Sequence, residues 1–272
     1  MDMGLGDHIV GVTSQEAVPL PGRAILGDVM NVSTEAILAA RPDILLVQMA
    51  AGNFSAVQSS NREIRVEHFD IETLDDIGLA MARIGRLVGQ DEAGNHAKAE
   101  FQGRLAKVAA RVAGLPRPKV MFVMGYQDNI STVGGNTFVG QMIEAAGGRN
   151  VAAGASGWIG TNRDYVLSRA PDVLVCWTDP GQAAAAKTHW SSLPGLPAAA
   201  AGKVYAVSDR YWTIPTGRTA GLVEELAGMI HPEYKGQAAS GPAGETPTRR
   251  ADETPVTRGR DTGATTAAAG GT

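Results

Sequence analysis

The sequence predicts an α/β protein of two lobes with mostly parallel sheets, joined by a long backbone helix. Three observations carry that reading. Apolar, β-branched runs alternate with amphipathic helical stretches, the order that builds parallel sheets covered by helices. One phrase is written twice: "EAILAARPDILLVQ" (Glu35 to Gln48) returns as "DYVLSRAPDVLVCW" (Asp164 to Trp177). Both copies run from an acid through a helical turn and Pro-Asp into a strand, and a unit written once in each half marks two similar lobes. Between the copies lies a helical stretch of roughly 23 residues; at about 1.5 Å each it makes a rod of about 35 Å, long enough to cross between lobes.

In chain order, "HIVGV" (His8 to Val12) is the first candidate strand. Pro42 ends the first repeat helix, because proline disfavours helix in the residue before it. "DILLV" (Asp43 to Val47) is a continuous apolar run, the pattern of a parallel strand covered on both faces. "IRVEHF" (Ile64 to Phe69) is a further strand. Thr73 with Asp76 marks a helix start, and Leu74, Ile77, Met81, Ile84 and Leu87 supply one apolar face at spacings of three and four. Gly89 breaks that helix. The long helix runs from Asp91 to about Ala113, with Gly114 as its cap and Pro116 and Pro118 beyond.

The second half opens on strand "KVMFVM" (Lys119 to Met124). Asn136 caps a helix through Phe138, Val139, Met142 and Ile143, which "AGG" (Ala146 to Gly148) stops. After the second repeat come strand "KVYAV" (Lys203 to Val207) and a helix from about Gly217 to "MIHPE". Past Lys235 Val256 is the one aliphatic residue larger than alanine. That is too little apolar surface to offset the entropy of ordering, so 236–272 is expected to be a disordered tail. The expected organisation is an incomplete N-terminal lobe at 1–90, a connecting helix at 91–114 and a C-terminal lobe at 115–235.

Composition narrows the function. With 44% hydrophobic and 19% charged residues the chain has the make-up of an ordinary globular protein. A net charge of -4 argues against a nucleic-acid surface, which needs a basic stripe. No apolar run approaches the roughly 20 residues of a membrane span. Cys176 is the single cysteine, which excludes an internal disulfide and a multi-cysteine metal site. It lies in the apolar strand "PDVLVCW", the place of a buried core residue. "MDMGLGDHIVGV" lacks the basic and apolar regions of a signal peptide. By itself this favours the cytoplasm, or a chain whose true start is elsewhere.

A cleft between two such lobes, lined by loops at the carboxyl ends of strands, is the expected ligand site. Those loops hold Phe54, Tyr126, Trp158, Trp177, Tyr211 and Trp212. Aromatic rims suit a large ligand with flat or apolar faces, and Arg210, Arg218 and Arg163 could pair with its carboxylates. The alternative is that the aromatics seal the lobe edges. Catalytic patterns are weak: the five histidines are scattered, and there is no P-loop, no strand–G-x-G-x-x-G–helix unit and no G-x-S-x-G elbow. His68, Asp128 and Asp179 lie near strand ends and are the one candidate hard-metal set.

The segments "LGDHIVGVT", "NVSTEAILAARPDILLVQ", "IETLDDIGLAMARIGRLVGQ", "STVGGNTFVGQMIEAAGGRNV", "VLSRAPDVLV" and "LPGLPAAAAGKVYAVSD" resemble, in order and spacing, the periplasmic binding proteins for iron-siderophores, haem and vitamin B12. The resemblance spans about residues 4 to 232. It implies the substrate-binding component of an ABC importer, with no cofactor and no chemistry of its own, located in the periplasm or at the cell surface. It also implies that Glu35 and Asp164, the heads of the two repeats, dock onto arginines of the two permease subunits. The family's commoner residue there is glutamate, so Asp164 is a shorter variant. The family's first strand and most of its first helix precede "LGDHIVGV" and are missing here. So are an export signal and a lipid-attachment cysteine. The expectation is a fragment or misassigned start, with a first lobe that lacks an interior strand and exposes apolar surface. The competing readings are a chelatase-like or other two-lobed enzyme acting on a metal chelate, and an adaptor with a vestigial cleft.

Overall fold

Near the N-terminus of this computed structural model, which describes residues 3–14, 20–28 and 31–233, two short parallel pairs form. The expected tail lies outside the described residues. β1 (Gly11–Val12) pairs with β2 (Ala24–Ile25). α1 (Thr34–Ala40) begins on Ser33, whose hydroxyl accepts from the Ala36 amide, satisfying one donor that a helix start leaves open. It ends on Arg41, left-handed at φ 50°, and Pro42 prevents its continuation. β3 (Ile44–Val47) then pairs with β4 (Arg65–His68), with α2 (Ser55–Ser60) between them in sequence. Ile37, Leu45, Val47, Phe54 and Val57 form a small core. Strand alternation decides which side chains enter it. Leu45 and Val47 turn inward, whereas Leu46 keeps 44% of its surface exposed. Among the described residues β3 is therefore covered on one face, not on the two that its apolar run predicts.

α3 (Leu74–Leu87) carries the expected capping box. The Thr73 hydroxyl accepts from the Asp76 amide, and the Asp76 carboxylate accepts from the Thr73 amide at 2.9 Å. Hydrogen bonding from the Thr73 side chain, more than any other contact, holds the Asp76 carboxyl below its usual range. α4 (Asp91–Val112) is the expected rod and turns back along α3. The two approach closely because glycine meets glycine: a Cβ on Gly85 would lie 2.7 Å from Gly94 Cα. Leu74, Ile77 and Met81 of α3 join Phe101 and Val108 of α4 in the core of the second half. The apolar packing thus divides near residue 70. α3, which its sequence position assigns to the N-terminal lobe, shares its core with the C-terminal half of the chain.

The second half comprises β5 (Lys119–Met124), β6 (Ile130–Val133), α5 (Phe138–Ala145), β7 (Arg149–Asn150), β8 (Trp158–Thr161), α6 (Arg163–Arg169), β9 (Val173–Trp177), α7 (Ala183–Ser191), α8 (Pro197–Ala200), β10 (Val204–Val207) and α9 (Thr219–Ile230). Its sheet runs β10-β9-β5-β6-β8, with β7 beside the start of β5. β10, β9 and β5 are parallel, and β6 is antiparallel to both neighbours. Val120 and Phe122 of β5 face α3, α4, α5 and α9. Met121 and Val123 face α6, α7 and α8. Here both faces are covered, which is why these strands are apolar throughout.

Two helix starts are set by side-chain caps. Thr137, not Asn136, caps α5, accepting from the Gly140 amide; Asn136 instead donates to Ser156 Oγ and accepts from the Gly157 amide. α6 starts on Asn162, which accepts from the Tyr165 amide, and ends on Ala170 at φ 46° before Pro171. Among the described residues Arg41 and Ala170 are the two non-glycines with left-handed φ. The written repeat is also a repeat of backbone, down to its strained turn.

Candidate functional site

The carboxyl ends of the central strands are level. Met124 stands opposite Trp177, and Trp177 opposite Val207. The loops beyond them therefore emerge side by side, at the edge where an α/β sheet presents groups to a ligand. The Trp177 indole donates to Asp209 O at 3.0 Å, laying the ring along the β10 loop. Asp209 Oδ1 accepts from the Tyr211 amide at 3.0 Å and starts the 3-10 turn Arg210–Trp212. Two guanidiniums pack on the Tyr211 ring, with Arg210 Cζ 4.9 Å and Arg218 Cζ 4.5 Å from its centre. Arg210 Nη2 also donates to Tyr211 Oη at 3.0 Å.

Beyond Trp177, Tyr126 Oη donates to Gln182 Oε1 at 2.7 Å, and its ring centre lies 5.7 Å from that of His189. Arg218 reaches the other way to line a hollow of about 220 Å³ with Phe101 and Arg104 of α4. Arg104 is held by Glu224 through two contacts of 3.1 Å. A polar hollow of about 490 Å³ opens at the ends of β6 and β8, between Asp128, Ser131, Thr161 and Asn162. Trp177, Arg210, Tyr211 and Arg218 thus gather beyond β9 and β10, whereas Tyr126 packs against the core on the other face of the sheet, beside Gln182 and His189.

This arrangement can hold flat or apolar faces on its rings and acidic groups on its guanidiniums. It offers little for bond-making. Burial pushes the Cys176 thiol up to about 11, so it is not a nucleophile near neutral pH. Partial burial, then the nearby Asp209 charge, raise the Glu225 carboxyl above its usual range. Among the described residues no three His, Cys, Asp or Glu side chains gather for a metal. His68 Nε2 lies 3.2 Å from Gln48 O, tied to the neighbouring strand end.

Two expected site residues are buried instead, and a third lies in a strand. Trp212 is 1% exposed and stacks on Phe122 at 6.2 Å, because the 3-10 turn swings it inward onto the sheet. Phe54, 6% exposed, fills the smaller core. Both are packing residues, not cleft rim. Trp158 opens edge strand β8 instead of lying in a loop, opposite Val133, and is 42% exposed. Sequence reasoning misses Gln182, His189 and Asp209, which orient the rings; only Asp209 carries a signal, an N-cap acid just before an aromatic pair. Glu35 and Asp164 are both exposed at the second position of their helices.

The fold and the level strand-end loops are those of a two-lobed solute-binding protein. The chain belongs to the periplasmic binding protein family, whose sequence profile matches residues 4–211. It is 30% identical over 245 residues to the cobalamin-binding protein of Halobacterium salinarum, covering 85% of this chain. This chain spans 65% of the length of that relative. It is 27% identical over 242 residues to YvrC of Bacillus subtilis, an uncharacterized ABC transporter substrate-binding lipoprotein, covering 85% of this chain and 76% of YvrC. The periplasmic haem-binding protein RhuT of Roseiflexus sp. RS-1, in apo form, shares the fold with a TM-score of 0.73 at 23% identity, over 86% of this chain and 93% of that one. Among the described residues no helix is long and apolar enough to cross a membrane.

Proposed function

We propose that this chain is the substrate-binding component of an ABC importer, which captures a cobalamin, haem or iron-siderophore ligand between its lobes and delivers it to the permease. The family match over residues 4–211 carries the reading. The ring and guanidinium cluster at the sheet edge supports it, since each of these ligands has a broad face and polar or acidic margins. Tyr126, Trp158, Trp177, Arg210, Tyr211 and Arg218 are the proposed ligand contacts. Glu35 and Asp164 are the proposed permease contacts, acting outside the cytoplasm in the periplasm or at the cell surface. The chain performs no reaction in this scheme.

The test is titration of the purified chain with cyanocobalamin, haemin and a ferric hydroxamate, monitored by absorbance and tryptophan fluorescence. One of the three should saturate at one equivalent. Trp158→Ala should weaken that binding by about 1–3 kcal/mol, the scale of losing one large aromatic contact. Trp212→Ala should instead lower stability, by about 3–5 kcal/mol for a buried aromatic. Binding of none of the three sinks the reading.

A further inference from the structure

Arg83 bridges the larger core and the end of β4. Arg83 sits on α3, whose apolar face belongs to the larger core. Its guanidinium reaches back to the last residues of β4 and the residue after them. Nη1 donates to His68 O at 2.7 Å, Nη2 meets the Glu67 carboxylate at 2.5 Å, and Cζ lies 4.4 Å over the Phe69 ring. Glu67 also takes Arg65 at 2.7 Å. β4 in turn is paired with β3, which brings Leu45 and Val47 to the smaller core. Phe69 N–H donates to Val47 O at 2.8 Å, and His68 Nε2 lies 3.2 Å from Gln48 O, so the ends of β3 and β4 are tied to the segment that Arg83 grips.

We propose that Arg83 is a positioning residue that sets the angle of the β3–β4 unit, and with it the helix bearing Glu35, against the larger body. A planar fork bound at once to a carbonyl, a carboxylate and a ring fixes direction as well as distance, which a lysine ammonium does not. Magnitude separates this role from a folding role. The Arg83 side chain is 44% exposed, and ion pairs that open to solvent contribute little to stability. The contacts therefore act on geometry more than on folding. The Arg83 hydrogen bond, then that of Arg65, holds the Glu67 carboxyl below its usual range, so the clamp is charged at neutral pH.

The test uses the full chain with no ligand added. Arg62→Cys and Lys187→Cys, both exposed and one on each body, are spin-labelled and their distance distribution is measured. Cys176 is buried and stays unlabelled. Adding Arg83→Gln or Arg83→Lys should shift the distribution or widen it about two-fold at an unchanged melting midpoint, as expected when a local tie between stable units is lost. Glu67→Gln, which spares the His68 and Phe69 contacts, should give a smaller change. Arg86→Gln should give none, because among the described residues Arg86 pairs within the α3–α4 hairpin, with Asp91 at 3.7 Å. An unchanged distribution in both Arg83 variants overturns the proposal. So does an Arg86→Gln effect as large as theirs.

Discussion

The two written repeats, α1–β3 and α6–β9, share a backbone and differ in their surroundings. Each helix starts on a side-chain cap, ends on a left-handed non-glycine, and passes through Pro-Asp into a parallel strand. Ile37 and Val166, at matching positions, are both buried. Yet Leu46 of β3 is 44% exposed, while its counterpart Val175 of β9 is fully buried. β9 has a strand on each side and helices on both faces, and β3 has β4 alone among the described residues. Local sequence sets the unit. Its neighbours set what the unit is worth.

The largest break in the comparison should come from a charge at that matching pair. Val175→Asp places a carboxylate in a sealed core and should cost on the order of 5 kcal/mol, enough to prevent folding at ordinary temperature. Leu46→Asp should cost less than about 1 kcal/mol, as for a surface change. Urea denaturation of both variants compares them directly, and equal costs would show β3 to be covered after all.

A smaller effect sharpens the likeness. Left-handed backbone costs a non-glycine residue about 1–2 kcal/mol, and glycine escapes most of that at some entropic loss. Arg41→Gly and Ala170→Gly should each stabilise the chain, by about 0.5–1 kcal/mol. Opposite signs at the two turns would mean that the repeats are strained for different reasons.

Much of this architecture is legible in the residues. β5 begins and ends where "KVMFVM" does, α4 matches the expected rod, and Thr73 with Asp76 forms the expected box. These depend on local periodicity and capping, which a short window contains. The features that depend on distant neighbours are not legible in that way. The apolar stripe of α3 does not say which core receives it, and "DILLV" looks the same whether one face or two are covered. Trp212 and Tyr211 are adjacent in one 3-10 turn, but one enters the core and the other meets two arginines. No composition rule separates them, because the turn's orientation on the sheet decides. Trp158 reads as loop because "WIGT" is short and half exposed, as an edge strand is.

The central claim is delivery to a permease through the acids that head the two repeats, and one measurement reaches it directly. The cognate permease is pulled down with the wild type and with Glu35→Lys/Asp164→Lys, while the ligand that binds is titrated in parallel. In the proposed docking each lysine would face a permease arginine, and like charges at an interface cost several kcal/mol. The double variant should lose the permease and keep its ligand affinity, since both acids are exposed at helix starts and neither is among the proposed ligand contacts. Each single reversal should be partly tolerated, that at Asp164 more than that at Glu35, because the shorter acid reaches less far. Normal docking by the double variant would contradict the account and leave the repeats as architecture alone.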